Sequence, residues 1–203
     1  KHKKLISDAT PCLMALNAVV KVLNLHTKEH HDMSVNEYLL LDESVHKLLI
    51  ISIKIPMPET NEHFNSFRLA KRQVNAVSFI NAAFNYKLDD TKVIECNIIY
   101  GAVSQDSLPV HAINTCNYLI GRELNQDTFS NTLKVLNSEI VVGTLDSYSS
   151  QSKIKGIKEE RQKYVNILFY KSMIQLLNKL GLLSEENKSG LSVLNDEIST
   201  DYD

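Results

Sequence analysis

Few residues of this chain fall into a pattern that chemistry alone would demand. The three cysteines, Cys12, Cys96 and Cys116, are widely spaced and odd in number. Their spacing suggests neither a disulfide framework nor a zinc site. They read as small apolar residues, with Cys96 and Cys116 on predicted buried faces. His26 and His30 stand four apart with His31 adjacent, which on a helix would place two imidazoles on one face. The Thr, Lys, Glu and Asp around them point instead to a solvated polar segment, and metal binding is the lesser reading. Lys153, Lys155 and Lys158 gather near Gly156 and read as a solvated loop before an anion site. Arg68, Lys71 and Arg72 are expected just after a strand and a turn, where an exposed basic turn outweighs a ligand site. No glycine-rich phosphate loop occurs. On these residues alone the function stays open.

The elements that would position them follow from patterning. With 203 residues, 43% hydrophobic and 23% charged, the chain can bury one large core or two small ones. Leu13 to Leu25 reads as a buried strand or hairpin arm, and the polar stretch from Thr27 to Ser34 as a loop. Ser34-Val-Asn-Glu37 has the form of a capping box and predicts a short helix or turn. Leu48 to Ile55 is dense in Ile and Leu, so a well-covered strand is expected, stopped by Pro56 and Pro58. Pro56 to Asn65 reads as a boundary. Val74 to Leu88 and Lys92 to Tyr100, joined at Asp89-Asp90, predict an antiparallel pair. Helices are expected over His111 to Leu119, Gln126 to Ile140 and Lys158 to Leu180, the last ending at Gly181. Strands followed by helices indicate an α+β fold. Ser184 to Asp203 reads as a linker or tail.

A net charge of -2 argues against a nucleic-acid partner. No apolar run reaches the roughly 18 to 20 residues that span a bilayer. The odd, scattered cysteines make a reducing, cytoplasmic setting the expectation. The opening Lys-His-Lys-Lys, with no initiator Met, suits a piece of a longer chain.

One segment is sharper than the rest. Phe67-Arg-Leu-Ala-Lys-Arg-Gln-Val-Asn-Ala76 resembles the F-[RK]-x-A-x-R-x-x-[ND]-[AD] segment of the xanthine dehydrogenase and aldehyde oxidase family of molybdo-flavoproteins. Ile51-Ser-Ile-Lys-Ile-Pro56 is similar to that family's L-x-S-I-x-I-P strand, at the matching distance. Ser7-Asp-Ala-Thr-Pro-Cys-Leu-Met-Ala15 resembles its S-D-x-x-P-x-[LF]-M-A segment. Ile98-Ile-Tyr-Gly-Ala-Val103, followed by His111-Ala112, is similar to the I-x-Y-G-G segment and the His-Ala pair of insect-type aldehyde oxidases. Tyr118 to Gly121 and Leu168 to Lys171 also fit, so the likeness covers nearly all of Ser7 to Gly181.

The resemblance implies a flavin module. Residues 1–57 would be the C-terminal portion of the FAD-binding domain and 58–183 a CO dehydrogenase flavoprotein C-terminal-like domain, an antiparallel sheet packed with helices, with 184–203 a linker or tail. It implies cofactor contacts from Asp8, a carboxylate accepting from a ring N–H; from Ile50, packing on the ring; and from Arg68, a cation beside the pyrimidine end. The family oxidises aldehydes or heterocycles at a molybdopterin centre and passes electrons through two [2Fe-2S] clusters to FAD, then to dioxygen or NAD. Those centres, like the pyrophosphate loop, are expected elsewhere in the same polypeptide, and a homodimer is implied. Asn75-Ala76, where dehydrogenases tend to carry an acidic pair, looks more like an aldehyde oxidase using dioxygen. The alternatives are a xanthine dehydrogenase using NAD, or a non-catalytic interaction module derived from the fold.

Overall fold

In a computed structural model of the chain, the described residues are 6–41, 47–72, 76–104, 108–143, 157–188 and 190–191. They form a mixed helix and antiparallel-sheet fold, as expected. A first unit runs through helix α1 (Ala9–Ala15), strands β1 (Val19–Asn24) and β2 (His30–Ser34), helix α2 (Val35–Leu40) and strand β3 (Leu48–Lys54). Strands β4 (Glu62–Ala70), β5 (Ser78–Asp89), β6 (Lys92–Gly101) and β7 (Val110–His111) follow, then helices α3 (Ile113–Leu119), α4 (Gln126–Glu139) and α5 (Ile157–Lys179). The first three strands make a sheet ordered β2-β1-β3, and the others a meander ordered β4-β5-β6-β7. Both sheets are antiparallel throughout.

The larger sheet holds the core. Strand residues alternate between faces, so Ile80, Ala82, Phe84, Tyr86 and Leu88 of β5 and Ile98 and Tyr100 of β6 share one face with the helices. Phe84 is fully buried, with Tyr100 edge-on at 5.8 Å and Phe67 and Phe169 each at 6.3 Å between ring centroids. The two buried tyrosines find polar partners: Tyr100 Oη donates to the Val165 carbonyl at 2.8 Å, and Tyr86 Oη meets Ser172 Oγ at 3.2 Å. A buried hydroxyl without a partner costs about 1–3 kcal/mol, so these bonds fix how α5 crosses the sheet. The opposite face is narrower. Ala15 of α1 packs there on Ala83 and Ile99, small enough to let the helix close on the strands.

Local signals set the element ends. Ser34 and Glu37 form the expected capping box at α2, and Asn125 Oδ1 accepts from Thr128 N at the start of α4. Gly181 adopts φ +72 after α5, with Leu182 N donating to the Leu177 carbonyl; glycine takes that left-handed C-terminal position without strain. The turn at Asp89-Asp90 joins β5 to β6 as the sequence implies.

Several expectations are corrected. Leu13 to Leu25 is not one strand: its start is the end of α1, built on Ala, Leu and Met, which favour helix, and Asn17 at φ 53 turns the chain into β1. His30–Ser34, expected as part of a loop, pairs with β1 as a solvent-facing edge strand whose polarity disguises it. Arg68 and Asn65 lie within β4, not in a turn or boundary. The strand β3 forms where expected but is exposed along most of its length instead of well covered. Lys153 and Lys155 lie outside the described residues, and nothing is described of the Lys158 side chain. Among the described residues, no three His, Cys, Asp or Glu side chains are grouped to hold a metal, and no helix is long and apolar enough to cross a membrane.

Phe84 is the junction of the aromatic cluster. Phe84→Ala should therefore lower unfolding free energy by about 3–5 kcal/mol, measured by urea denaturation; a loss below about 1 kcal/mol would mean the core does not turn on it.

Candidate functional site

The polar face of the larger sheet gathers around the start of α1. On β4, Phe67 and Leu69 turn toward the core, so Arg68 between them points to the other face. Arg68 stands opposite Asn81 of β5. Above them sits Asp8, the residue before α1, in helical conformation yet making no side-chain bond to its own helix. Its carboxylate is turned on the sheet instead. Oδ2 accepts from Arg68 Nη1 at 2.8 Å. Oδ1 accepts from Asn81 Nδ2 at 2.7 Å and from the hydroxyl of Ser78. Asn81 Nδ2 also donates to the Ser7 carbonyl at 3.0 Å, and Arg68 Nη2 reaches the Arg72 and Ala76 carbonyls at 3.3 Å.

The arrangement is a partly open ion pair with a built floor. The side chains of Arg68 and Asp8 are 36% and 41% exposed. An exposed pair by itself is worth about 0–1 kcal/mol. This one has its carboxylate fixed by two further donors, which makes the guanidinium's position determinate. Asp8, Cys12, Ser66, Phe67, Arg68, Asn81 and Ala82 border a cavity of about 110 Å³. A guanidinium held there can bind and orient an anionic or electron-rich edge.

Ile50, the third cofactor contact that the sequence implies, stands elsewhere. It lies on β3 of the smaller sheet, paired with Val22 and 43% exposed. The structure thus brings Asp8 and Arg68 together, and no described contact joins Ile50 to them. Sequence reasoning missed Ser78, Asn81 and Gly101. A Cβ built on Gly101 would lie 1.9 Å from Asn81 Oδ1 and 3.0 Å from Pro11. The carboxamide fills the space that a side chain would take, so this glycine seats both Asn81 and α1. In the sequence, Tyr100-Gly101 belongs to the I-x-Y-G-G likeness and reads as a strand end and turn, with no sign that it seats Asn81.

Residues 65–176 match the family described as the CO dehydrogenase flavoprotein C-terminal domain. The chain is 23% identical over 179 residues to the xanthine dehydrogenase/oxidase of Gallus gallus, covering 86% of this chain and 12% of that protein. It is 30% identical over 141 residues to aldehyde oxidase 1 of Bos taurus, covering 66% and 10%. The chain therefore spans about a tenth of the length of these relatives. Among solved structures, quinoline 2-oxidoreductase from Pseudomonas putida 86 superposes with a TM-score of 0.67 at 14% identity, covering 88% of this chain and 59% of that one. A Cu,Mo-CO dehydrogenase chain does so with a TM-score of 0.62 at 16% identity, covering 80% and 53%. These two show the fold.

Gly101→Ala should cost about 1–3 kcal/mol by overpacking, read from the urea midpoint. The double variant Gly101→Ala/Asn81→Ala should cost less than the sum of the two single ones. Additive losses would show that Gly101 does not serve to seat Asn81.

Proposed function

Because the chain belongs to the CO dehydrogenase flavoprotein C-terminal domain family, within the molybdo-flavoproteins of xanthine dehydrogenase and aldehyde oxidase type, we propose that it works as part of the flavin module of an aldehyde oxidase. In this reading 1–57 completes an FAD-binding domain, 58–183 is the domain that follows it and 184–203 a linker or tail. FAD, when bound, would carry electrons arriving from iron-sulfur clusters onward to dioxygen. The molybdopterin centre that oxidises the aldehyde, and the clusters, would belong to other parts of a homodimeric, cytoplasmic enzyme.

The observation that carries this proposal is the guanidinium of Arg68, partly open to solvent and pinned by Asp8 at 2.8 Å. A fixed cation beside an electron-accepting ring stabilises the negative charge that reduction brings. The cavity beside it, about 110 Å³, is too small to enclose a three-ring flavin and fits one polar edge of it. The donor chemistry therefore fits the group at that edge. Both oxygens of Asp8 are already engaged, so its main part is to hold Arg68 in place, with the ring N–H contact secondary. Ile50 would contribute aliphatic surface from β3, whose Leu49, Ile51 and Ile53 are also exposed. Aldehyde oxidase is preferred over xanthine dehydrogenase on Asn75-Ala76, which lacks the acidic pair; Asn75 itself lies outside the described residues.

Arg68→Gln in the intact protein should lower the flavin's reduction potential and the FAD retained through gel filtration. Arg68→Lys should restore part of both. Potential and flavin content equal to wild type in Arg68→Gln would remove Arg68 from the site. In the same preparation, aldehyde-driven reduction should consume dioxygen; rapid formation of NADH would select the dehydrogenase reading instead.

A further inference from the structure

A second cavity, of about 240 Å³, lies where the first unit meets the larger sheet. It shares no bordering residue with the cavity beside Arg68. Close-packed interiors leave few voids larger than a water molecule, and an apolar cavity of roughly 150 Å³ is enough to take up benzene. This one has room for a ring carrying a polar substituent. Asn36 and Ile113, both exposed, stand on its border, so it opens to solvent beside α2 and α3.

Its wall divides by chemistry. Val19 of β1, Ile99 of β6 and Ile113 of α3 supply apolar surface. The polar part is built from carboxamides. Asn97 Nδ2 donates to Asn17 Oδ1 and to the Ala15 carbonyl, both at 3.3 Å. Among the described residues, that leaves Asn97 Oδ1 as an acceptor and Asn17 Nδ2 as a donor with no hydrogen bond. Asn17 is held at this place by its backbone, at φ 53, a left-handed conformation that asparagine tolerates and glycine takes without cost. No Asp, Glu, Lys or Arg is among the described residues that border the cavity. His111 is the one titratable group there, its Nε2 standing 3.8 Å from Cys116 Sγ.

We propose that this cavity is a binding site for a small neutral ring bearing a primary carboxamide, of the benzamide type. The ring lies against Val19, Ile99 and Ile113. The ligand's amide N–H donates to Asn97 Oδ1 and its carbonyl accepts from Asn17 Nδ2, completing the pairing that the two asparagines begin between themselves. A carboxylate of the same shape offers Asn97 no donor and brings a charge that no bordering cation offsets. A plain hydrocarbon removes water from both groups and gives neither a partner. Because Asn17 belongs to the first unit and Asn97 to β6, an occupant bridges the two. The site is independent of the flavin reading.

The test irradiates the intact protein with para-azidobenzamide and maps the modified peptides by mass spectrometry. Modification is expected at residues bordering the cavity, within 14–19, 34–36, 97–99 or 111–113. Excess benzamide should suppress it, where benzoate and toluene at the same concentration do not. Asn17→Gly keeps the left-handed turn while deleting the carboxamide, and should weaken the protection by benzamide up to about tenfold, the loss of one hydrogen bond. Ile113→Trp, at an exposed position on the border, should abolish the modification by filling the space. Should either variant fail to fold, the wild-type map with its three competitors decides alone. Modification absent from these segments, or protection by benzoate or toluene as good as by benzamide, would overturn the proposal. So would an Asn17→Gly protein that benzamide protects as well as the wild type.

Discussion

A strand sends successive side chains to opposite faces, and from Phe67 to Tyr100 this chain depends on that two-residue period. On one face Phe67, Phe84 and Tyr100 pack as an aromatic cluster under α5. On the other face Arg68, Asn81 and Gly101 form the floor beneath Asp8 and α1. A one-residue slip of β4 against β5 would exchange Phe67 with Arg68 and put a guanidinium into the core. The cost of burying an unpaired charge there is what fixes the register. The packing of the core and the placement of the cation are therefore one constraint.

That constraint explains why Asp8 does not cap its own helix. An aspartate before a helix usually accepts from the backbone two or three residues on. Here Ser7 Oγ takes that task at Thr10 N, and the Asp8 carboxylate is left to bridge β4 and β5. Helix α1 is consequently tied to the sheet at both ends: at its start by Asp8, and further on by Ala15 against Ala83 and Ile99. Asn97, which donates to the Ala15 carbonyl at 3.3 Å, closes the far end of the same polar face.

Legibility in the sequence follows the strength of the local signal. The β5–β6 pair, α4, α5 and the α2 capping box are readable because periodicity, turn residues and caps agree there. β2 is not, because an edge strand in water needs no apolar alternation. β4 is hidden because polar and apolar residues share both faces: Ser66 and Arg68 lie on the exposed face with Phe64, while Asn65, which accepts from Ser172 Oγ of α5, stands with Phe67 and Leu69 on the core side. The motif around Phe67 draws attention to Arg68, and the partnership with Asp8 spans 60 positions, which no local pattern encodes. Asn81 and Gly101 belong to that same long-range set. Cys96 and Cys116 are buried as their neighbours imply, yet composition says nothing of which groups a buried sulfur meets.

β3 presents the opposite problem. A run of Leu48, Leu49, Ile50 and Ile51 without alternation is the composition of a strand covered on both faces. Among the described residues it pairs only with β1, and most of its side chains are exposed. The cluster beneath the small sheet draws on Val20, Val22, Val35 and partly buried Leu48, so only the start of β3 joins it. Apolar surface left in water forgoes roughly 25 cal/mol per Å² of burial, and a strand gains nothing from that unless something else covers it. The part proposed for Ile50 rests on such cover, because the described contacts give it none with Arg68. In the flavin-module reading, one aromatic ring would supply apolar contact to β3 and an electron-rich edge to the guanidinium. The exposed ladder and the pinned cation are then two demands that a single flat, amphipathic ligand would meet.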